Sequence, residues 1–191
     1  MGAIIAIIMI VIVLILLIIA IYNTMVKLRN MVDNAWAQVE VQLQRRMDLI
    51  PNLVETVKGY AEHESSTLEA VTAARTSYLN ATTEAEKLEA DNALTGALKS
   101  LFAVAESYPN LMASQNFQEL QQQLAETEDK ISYMRQSYND TVLKYNNAIE
   151  TFPGTIFAKP FGFTKRNSFV ADLGAETAPV VDFGPETNEA E

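Results

Sequence analysis

The stretch Phe117 to Phe152, FQELQQQLAETEDKISYMRQSYNDTVLKYNNAIETF, decides the fold. Phe117, Leu120, Leu124, Thr127, Ile131, Met134, Tyr138, Thr141, Tyr145, Ala148 and Phe152 follow one another in alternating steps of three and four. Residues at that spacing share one face of an α-helix, whereas a strand repeats every two. Five heptads without a fault predict a long helix with one buried seam, as in a bundle or coiled coil. Within it Tyr138-Asn139 and Tyr145-Asn146 recur one heptad apart, phenols toward the seam and amides beside it. A phenol in a seam needs a polar partner for its hydroxyl.

The same pattern extends toward the N-terminus. Thr83 and Glu86 have the spacing of a capping box, and Leu88, Leu94, Leu98, Leu101, Phe102 and Ala105 form a stripe that stops at Tyr108-Pro109. Before it, Val54, Val57, Ala61, Leu68, Val71 and Tyr78 mark another helix, with Asn52 and Glu55 again spaced as a capping box. Met25, Leu28, Val32, Ala35, Val39 and Leu43 mark a first one. Proline pushes its predecessor away from helical angles and is welcome mainly in a first turn, so a break is predicted at Asp48 to Pro51. Helices at about 23–48, 52–79, 84–107 and 116–151, joined by short connections, predict an all-α antiparallel four-helix bundle within residues 23–152.

The first helix has no start of its own. It continues back into Ala3 to Ile21, an unbroken apolar run without charge, proline or amide. As a helix this run reaches about 28 Å, against a hydrocarbon core of roughly 30 Å. Lipid offers backbone groups no partner, so a lone segment there must be helical despite its many isoleucines. Residues 1–22 are therefore read as an uncleaved transmembrane anchor continuing into the bundle. A cleaved signal would show a basic start, a shorter apolar stretch and a small-residue cleavage site, and none is present. Lys27, Arg29, Arg45 and Arg46 follow the span, which favours a bundle facing the cytoplasm.

Composition narrows the function. The chain has 191 residues, a net charge of −10 and no cysteine, which excludes disulfides and thiolate chemistry. His63 begins a His63-Glu64-Ser65-Ser66-Thr67 run, where threonine replaces the second histidine that a zinc-protease helix requires. One histidine cannot supply both Glu-x-x-His pairs of a di-iron bundle. There is no glycine-rich phosphate loop, and the soluble part is acidic. No metal, cofactor, nucleic acid or enzymatic activity is expected.

Counting helices from the membrane predicts which ends meet. Arg45, Arg46, Asp48 and Asn52 should join Glu106 and Tyr108 at the membrane-distal end. They form a candidate partner-docking face there, or else Arg45 and Arg46 cap the last turn of helix one. Phe152 should return to the lipid surface, followed by residues 153–170, which interleave aromatic rings with prolines, glycines and bases. Phe157, Lys159, Phe161, Phe163, Lys165 and Arg166 are candidates for the membrane interface, rings in the headgroup boundary and cations on anionic lipid. Alternatively the rings pack over the open base of the bundle. Residues 171–191 turn acidic and proline-containing, with six acids and no base, and are expected to be a disordered tail.

Tyr22-Asn23 through Leu28-Arg29-Asn30, Asn34-Ala35-Trp36, Arg45-Arg46-Met47-Asp48-Leu49-Ile50-Pro51-Asn52-Leu53-Val54, Val57-Lys58-Gly59-Tyr60, Tyr108-Pro109, Thr127-Glu128, Tyr138-Asn139, Tyr145-Asn146 and Phe152-Pro153 together resemble the bacterial LemA family. The resemblance covers residues 1–169 and leaves the acidic tail outside. It implies a single-span protein of the bacterial inner membrane with a four-helix bundle and no assigned catalytic residues. Suggested links of the family include HtpX-type membrane proteases and envelope or stress functions. The combined expectation is a membrane-anchored scaffold or adaptor for envelope partners, or a subunit of a membrane-attached homo-oligomer.

Overall fold

A computed structural model describes residues 1–61 and 63–169. In chain order they form α1 (Gly2–Lys58), α2 (Ser65–Asn80), α3 (Glu84–Ala105), α4 (Pro109–Met112), α5 (Gln115–Glu150) and α6 (Gly154–Ala158), with no strand among the described residues. The expectation of an acidic tail at 171–191 lies outside them.

Helix α1 is one uninterrupted element of 57 residues, about 85 Å long. Its first part stands clear of the bundle, and an 18-residue window of mean hydropathy 3.9 has none of its residues buried, so it is long and apolar enough to cross a membrane. From Met25 onward the stripe Met25, Val32, Ala35, Val39 and Leu43 is buried against the other helices. Anchor and bundle thus share an axis.

The predicted break at Asp48 to Pro51 does not occur. Pro51 lies inside α1, and the helix stops instead at Lys58, before a turn at Gly59 and Tyr60. Proline lacks the N–H that would bond the carbonyl four residues back, that of Met47. Arg75 of α2 makes good the loss by donating from Nε to the Met47 oxygen at 2.9 Å. A donor from another helix, remote in sequence, therefore lets the helix pass its proline. The Asn52–Glu55 capping box has no helix start to cap. The helix predicted from residue 52 begins only at Ser65, so Val57 closes α1 and Ala61 lies just beyond that turn.

The Thr83 box does form. The Glu86 N–H donates to Thr83 Oγ1 at 3.2 Å, and Glu86 Oε2 accepts from the Thr82 and Thr83 N–H groups at 2.8 and 3.1 Å. These bonds hold the Glu86 carboxyl below the usual carboxylate range.

Helix α5 keeps its seam: Phe117, Leu124, Thr127, Ile131, Tyr138 and Tyr145 are buried. Toward its end Val142 and Ile149 join the buried set, while Phe152 lies past the helix and is 79% exposed. A straight helix drifts about 20° per heptad from a strict seven-residue repeat, so the fifth heptad no longer points where the first did.

Helix α1 packs along α5, and α2 pairs with α3 and with α1. Arg46 meets Glu128 and Trp36 meets Tyr138, so α5 descends as α1 rises. Glu40 pairs with Lys87 and Arg46 with Asp91, so α3 rises beside α1. Below the turn at Ala81 to Thr83 only α1 and α5 continue toward the membrane. There the missing helices are replaced by α6 and the extended segment 164–169.

Candidate functional site

The predicted partner-facing residues do not form one face. Arg45 and Asp48 are exposed but sit inside the helix, about 15–20 Å below the end of α1 rather than at it. Asp48 accepts from Gln44 Nε2 on the same helix at 2.8 Å, and Asn52 is exposed one turn further along. Neither Arg45 nor Arg46 lies in the last turn, so neither caps the helix. The distal corner is built from the α1–α2 connection and the α3–α4–α5 connection, where the Tyr108 hydroxyl donates to Glu64 Oε1 at 2.9 Å. That bond leads the causes that raise the phenol's pKa. Glu106 lies exposed in the α3–α4–α5 connection, and His63 in the α1–α2 one.

Arg46 points into the bundle. It is only 4% exposed, with Nη1 at 3.0 Å from Asp91 Oδ1 and 2.8 Å from Glu128 Oε2. Arg135 pairs with the other oxygen of Asp91, which is fully buried. Arg46 and Asp91 are thus paired in the interior, since a buried charge must be paired, while Arg135 and the part-exposed Glu128 flank them nearer the surface. Burial pushes the Asp91 carboxyl up, the two guanidiniums pull it back, and Glu128 opposes them; the net direction is up. Sequence reasoning missed Asp91 and Arg135 and met Glu128 only within the family resemblance. The signal was an acid at the stripe position between Leu88 and Leu94, and a base between Leu43 and Ile50.

The two Tyr-Asn pairs find their partners in segment 164–169. Tyr145 donates its hydroxyl to the Thr164 carbonyl at 2.9 Å, and Tyr138 donates to that of Asn167 at 3.1 Å. Asn146 grips Arg166 by both main-chain groups, donating to its carbonyl at 2.8 Å and accepting its N–H at 3.0 Å. Asn139 grips Phe169 in the same way, at 3.1 and 2.7 Å. The register is geometric. Seven helical residues rise about 10.5 Å, and three extended residues cover about 10 Å, so heptad-spaced amides meet every third residue of an extended chain. Gly162, with φ of +74°, turns the chain from α6 into this strap, in a conformation that favours glycine.

Side chains add to the grip. Arg166 reaches Asp33 at 2.7 Å and Glu84 at 3.5 Å, tying α1 and the start of α3 to the strap. Phe169 packs on Trp36 and edge-on to Tyr138, with ring centroids 5.9 and 5.1 Å apart. Burial is the main cause that pushes the Tyr138 hydroxyl up to about 12, with Glu84 adding to it.

The predicted membrane-interface residues divide. Phe163 is buried, with the Arg29 guanidinium 5.5 Å from its ring centre, and Arg166 belongs to the strap. Phe157 stacks on Phe161, which meets Tyr22 edge-on at 5.1 Å. Phe161, Ile156, Phe152 and Tyr22 remain 44, 55, 79 and 40% exposed. Lys159 is exposed beside them, and Lys165 pairs with Glu150. Some rings therefore close the base of the bundle and others face outward, one residue beyond the apolar run. Gly154 is indispensable to this arrangement, because a Cβ there would lie 1.9 Å from the Ala148 carbonyl oxygen.

A bundle fused to an apolar membrane-crossing helix defines a membrane-associated, all-helical protein. The chain belongs to the LemA family, whose model matches residues 35–183. It is similar to the magnetosome protein MamQ of Paramagnetospirillum magneticum, at 27% identity over 84% of this chain and 68% of the relative. The MamQ of Magnetospirillum gryphiswaldense is 26% identical over the same shares, and Protein LemA of Metamycoplasma hominis is 26% identical over 68% of this chain and 60% of the relative. The family match extends past residue 169, so part of the C-terminal segment first set outside the resemblance belongs to the family's domain.

Proposed function

We propose that this protein is a non-catalytic scaffold or adaptor that holds a partner near the bacterial inner membrane, with the bundle on the cytoplasmic side. The continuity of α1 carries this reading, since one rigid helix serves as both anchor and core member and fixes the bundle's orientation to the lipid. Tyr22, Phe152, Ile156, Phe161 and Lys159 then sit in the headgroup region, where aromatic and basic side chains are favoured. The distal corner, where Glu106 is exposed beside the half-buried Glu64 and Tyr108, is the part best placed to meet an envelope protein, an HtpX-type protease among the candidates.

Crosslinking in native membranes followed by mass spectrometry tests the adaptor reading. It expects links from the distal corner to a different membrane or envelope protein. Self-links alone would support a homo-oligomeric assembly instead. Placement of the foot is tested with Phe161→Trp in a Trp36→Phe background, whose fluorescence brominated lipids should quench. Quenching no greater than in the Trp36-containing parent would remove the lipid contact.

A further inference from the structure

A groove of about 240 Å³ opens where α1 leaves its apolar run, between α1 and the α5–α6 corner. Ala20, Ile21, Thr24 and Met25 wall it on one side, Ala148 and Phe152 on the other. The hydroxyls in its lining are already bonded within their own helices: Thr24 donates to the Ala20 carbonyl at 2.9 Å, and Thr151 to that of Asn147 at 2.7 Å. The volume is about eight waters' share of liquid, but a buried water needs several polar partners and these walls are mainly apolar. Ala20 and Ile21 close the run that crosses the membrane, so the lower rim of the groove faces hydrocarbon. Charge collects at its upper rim. Lys27 lies one heptad above Ala20 on α1, and Lys144 one heptad before Thr151 on α5. Each therefore stands on the groove's face of its helix, about one turn farther from the membrane than Thr24 and Ala148. Both are exposed, and neither forms an ion pair among the described residues. The only acid within residues 20–32 and 144–163 is Glu150, which pairs with Lys165. This end is cationic on a chain of net charge −10.

We propose that this groove is a site for one anionic phospholipid, with its glycerol and upper acyl carbons between α1 and the α5–α6 corner and its phosphate between Lys27 and Lys144. The inference rests on the foot of the bundle sitting in the headgroup region, and adds to it a discrete site with a charge preference. An apolar groove continuous with hydrocarbon takes in a chain, and the two cations a turn above it attract the charge that the chain carries. A zwitterionic headgroup brings its own ammonium to the same cations and gains less. Side chains lean toward the N-terminus of their helix, which carries Lys27 down over the groove and Lys144 up away from it. Lys27 therefore contributes more to the preference than Lys144.

The test releases full-length protein from nanodiscs of equal parts phosphatidylcholine and phosphatidylglycerol and weighs the lipid it retains by native mass spectrometry. Phosphatidylglycerol should be retained in at least about fivefold excess, the preference that one lysine near anionic lipid supplies. Lys27→Gln should lower that ratio severalfold and Lys144→Gln by less. Ala20→Phe, at a position exposed outside the bundle, should fill the groove and reduce retention of both lipids. Equal retention of the two lipids by the wild type would overturn the charge preference, and unchanged retention by Ala20→Phe would overturn the groove as the site. Glycerol phosphate, which carries the anion without chains, should not displace the lipid; displacement would give the cations to a free phosphate instead. Quenching of Phe161→Trp by brominated lipid together with unselective retention would leave the foot in lipid and remove only this site, whereas absent quenching would remove both.

Discussion

Above the level of Glu84, the space beside α1 and α5 is filled by two helices; below it, by α6 and six residues of extended chain. The upper half is held by apolar side chains around the buried Arg46–Asp91 pair, flanked by Glu128 and Arg135. The lower half is held by hydrogen bonds from α5 side chains to the strap's main chain. Both use the same seam of α5, with Phe117, Leu124 and Ile131 in one and Tyr138 and Tyr145 in the other. A heptad repeat thus fixes which face of a helix is covered, and the polar residues in it reveal whether another helix or a bare backbone does the covering.

The largest effect should come from the upper half. Arg46→Ala leaves the fully buried Asp91 with one partner and Glu128 with none, and breaking a buried pair in this way costs about 3–5 kcal/mol. Denaturant unfolding of the detergent-solubilised protein measures it. Arg46→Met combined with Asp91→Leu should cost less than Arg46→Ala alone, and an equal or larger cost would show that the charges are not acting as a unit.

In the lower half, Gly154→Ala pushes α6 off the end of α5, and overpacking of this kind costs about 1–3 kcal/mol. Tryptic cleavage at Lys165 and Arg166 should quicken while α2 and α3 keep their stability. Global unfolding without early cleavage there would mean that the two halves are not separable.

Arg75→Met removes the donor to the Met47 carbonyl and should cost about 1–3 kcal/mol, the penalty of a buried acceptor left unmade. A local rise in exchange around Pro51 is the expected sign. If stability and exchange are unchanged, water serves that carbonyl as well as Arg75 does.

The smallest effect is alkaline. Tyr138 has a folded pKa raised to about 12, so the stability it contributes is complete below about pH 10 and lost as pH rises from there through about 12. Ionisation removes its donation to the Asn167 carbonyl. Tyr138→Phe should therefore flatten the stability curve in that window, and an identical curve would show that the phenol does not hold the strap.

Sequence reading reached the fold class, the long α5, the Thr83 cap and the anchor continuing into the bundle, because each rests on local spacing. It failed at Pro51, where Arg75, 28 residues from the Met47 carbonyl that it bonds, replaces the missing donor, and with that failure the distal corner was misplaced. Arg46, expected in a docking face or as a cap of helix one, is buried instead; its burial depends on Asp91 and Glu128, far apart in the chain. The Tyr-Asn repeat was visible as a pattern, and its need for polar partners was clear. That the partner is the chain's own extended segment follows from a match of helical and extended rises that no single stretch displays.

Amide exchange at Arg166 and Phe169 in the full-length protein is the most direct measurement of how the lower half is held. Both N–H groups should be strongly protected in the wild type and lose that protection in Asn139→Ala with Asn146→Ala, while the amides of α2 and α3 stay unchanged. Exchange at free-peptide rates in the wild type, or protection that survives both substitutions, would contradict the ladder.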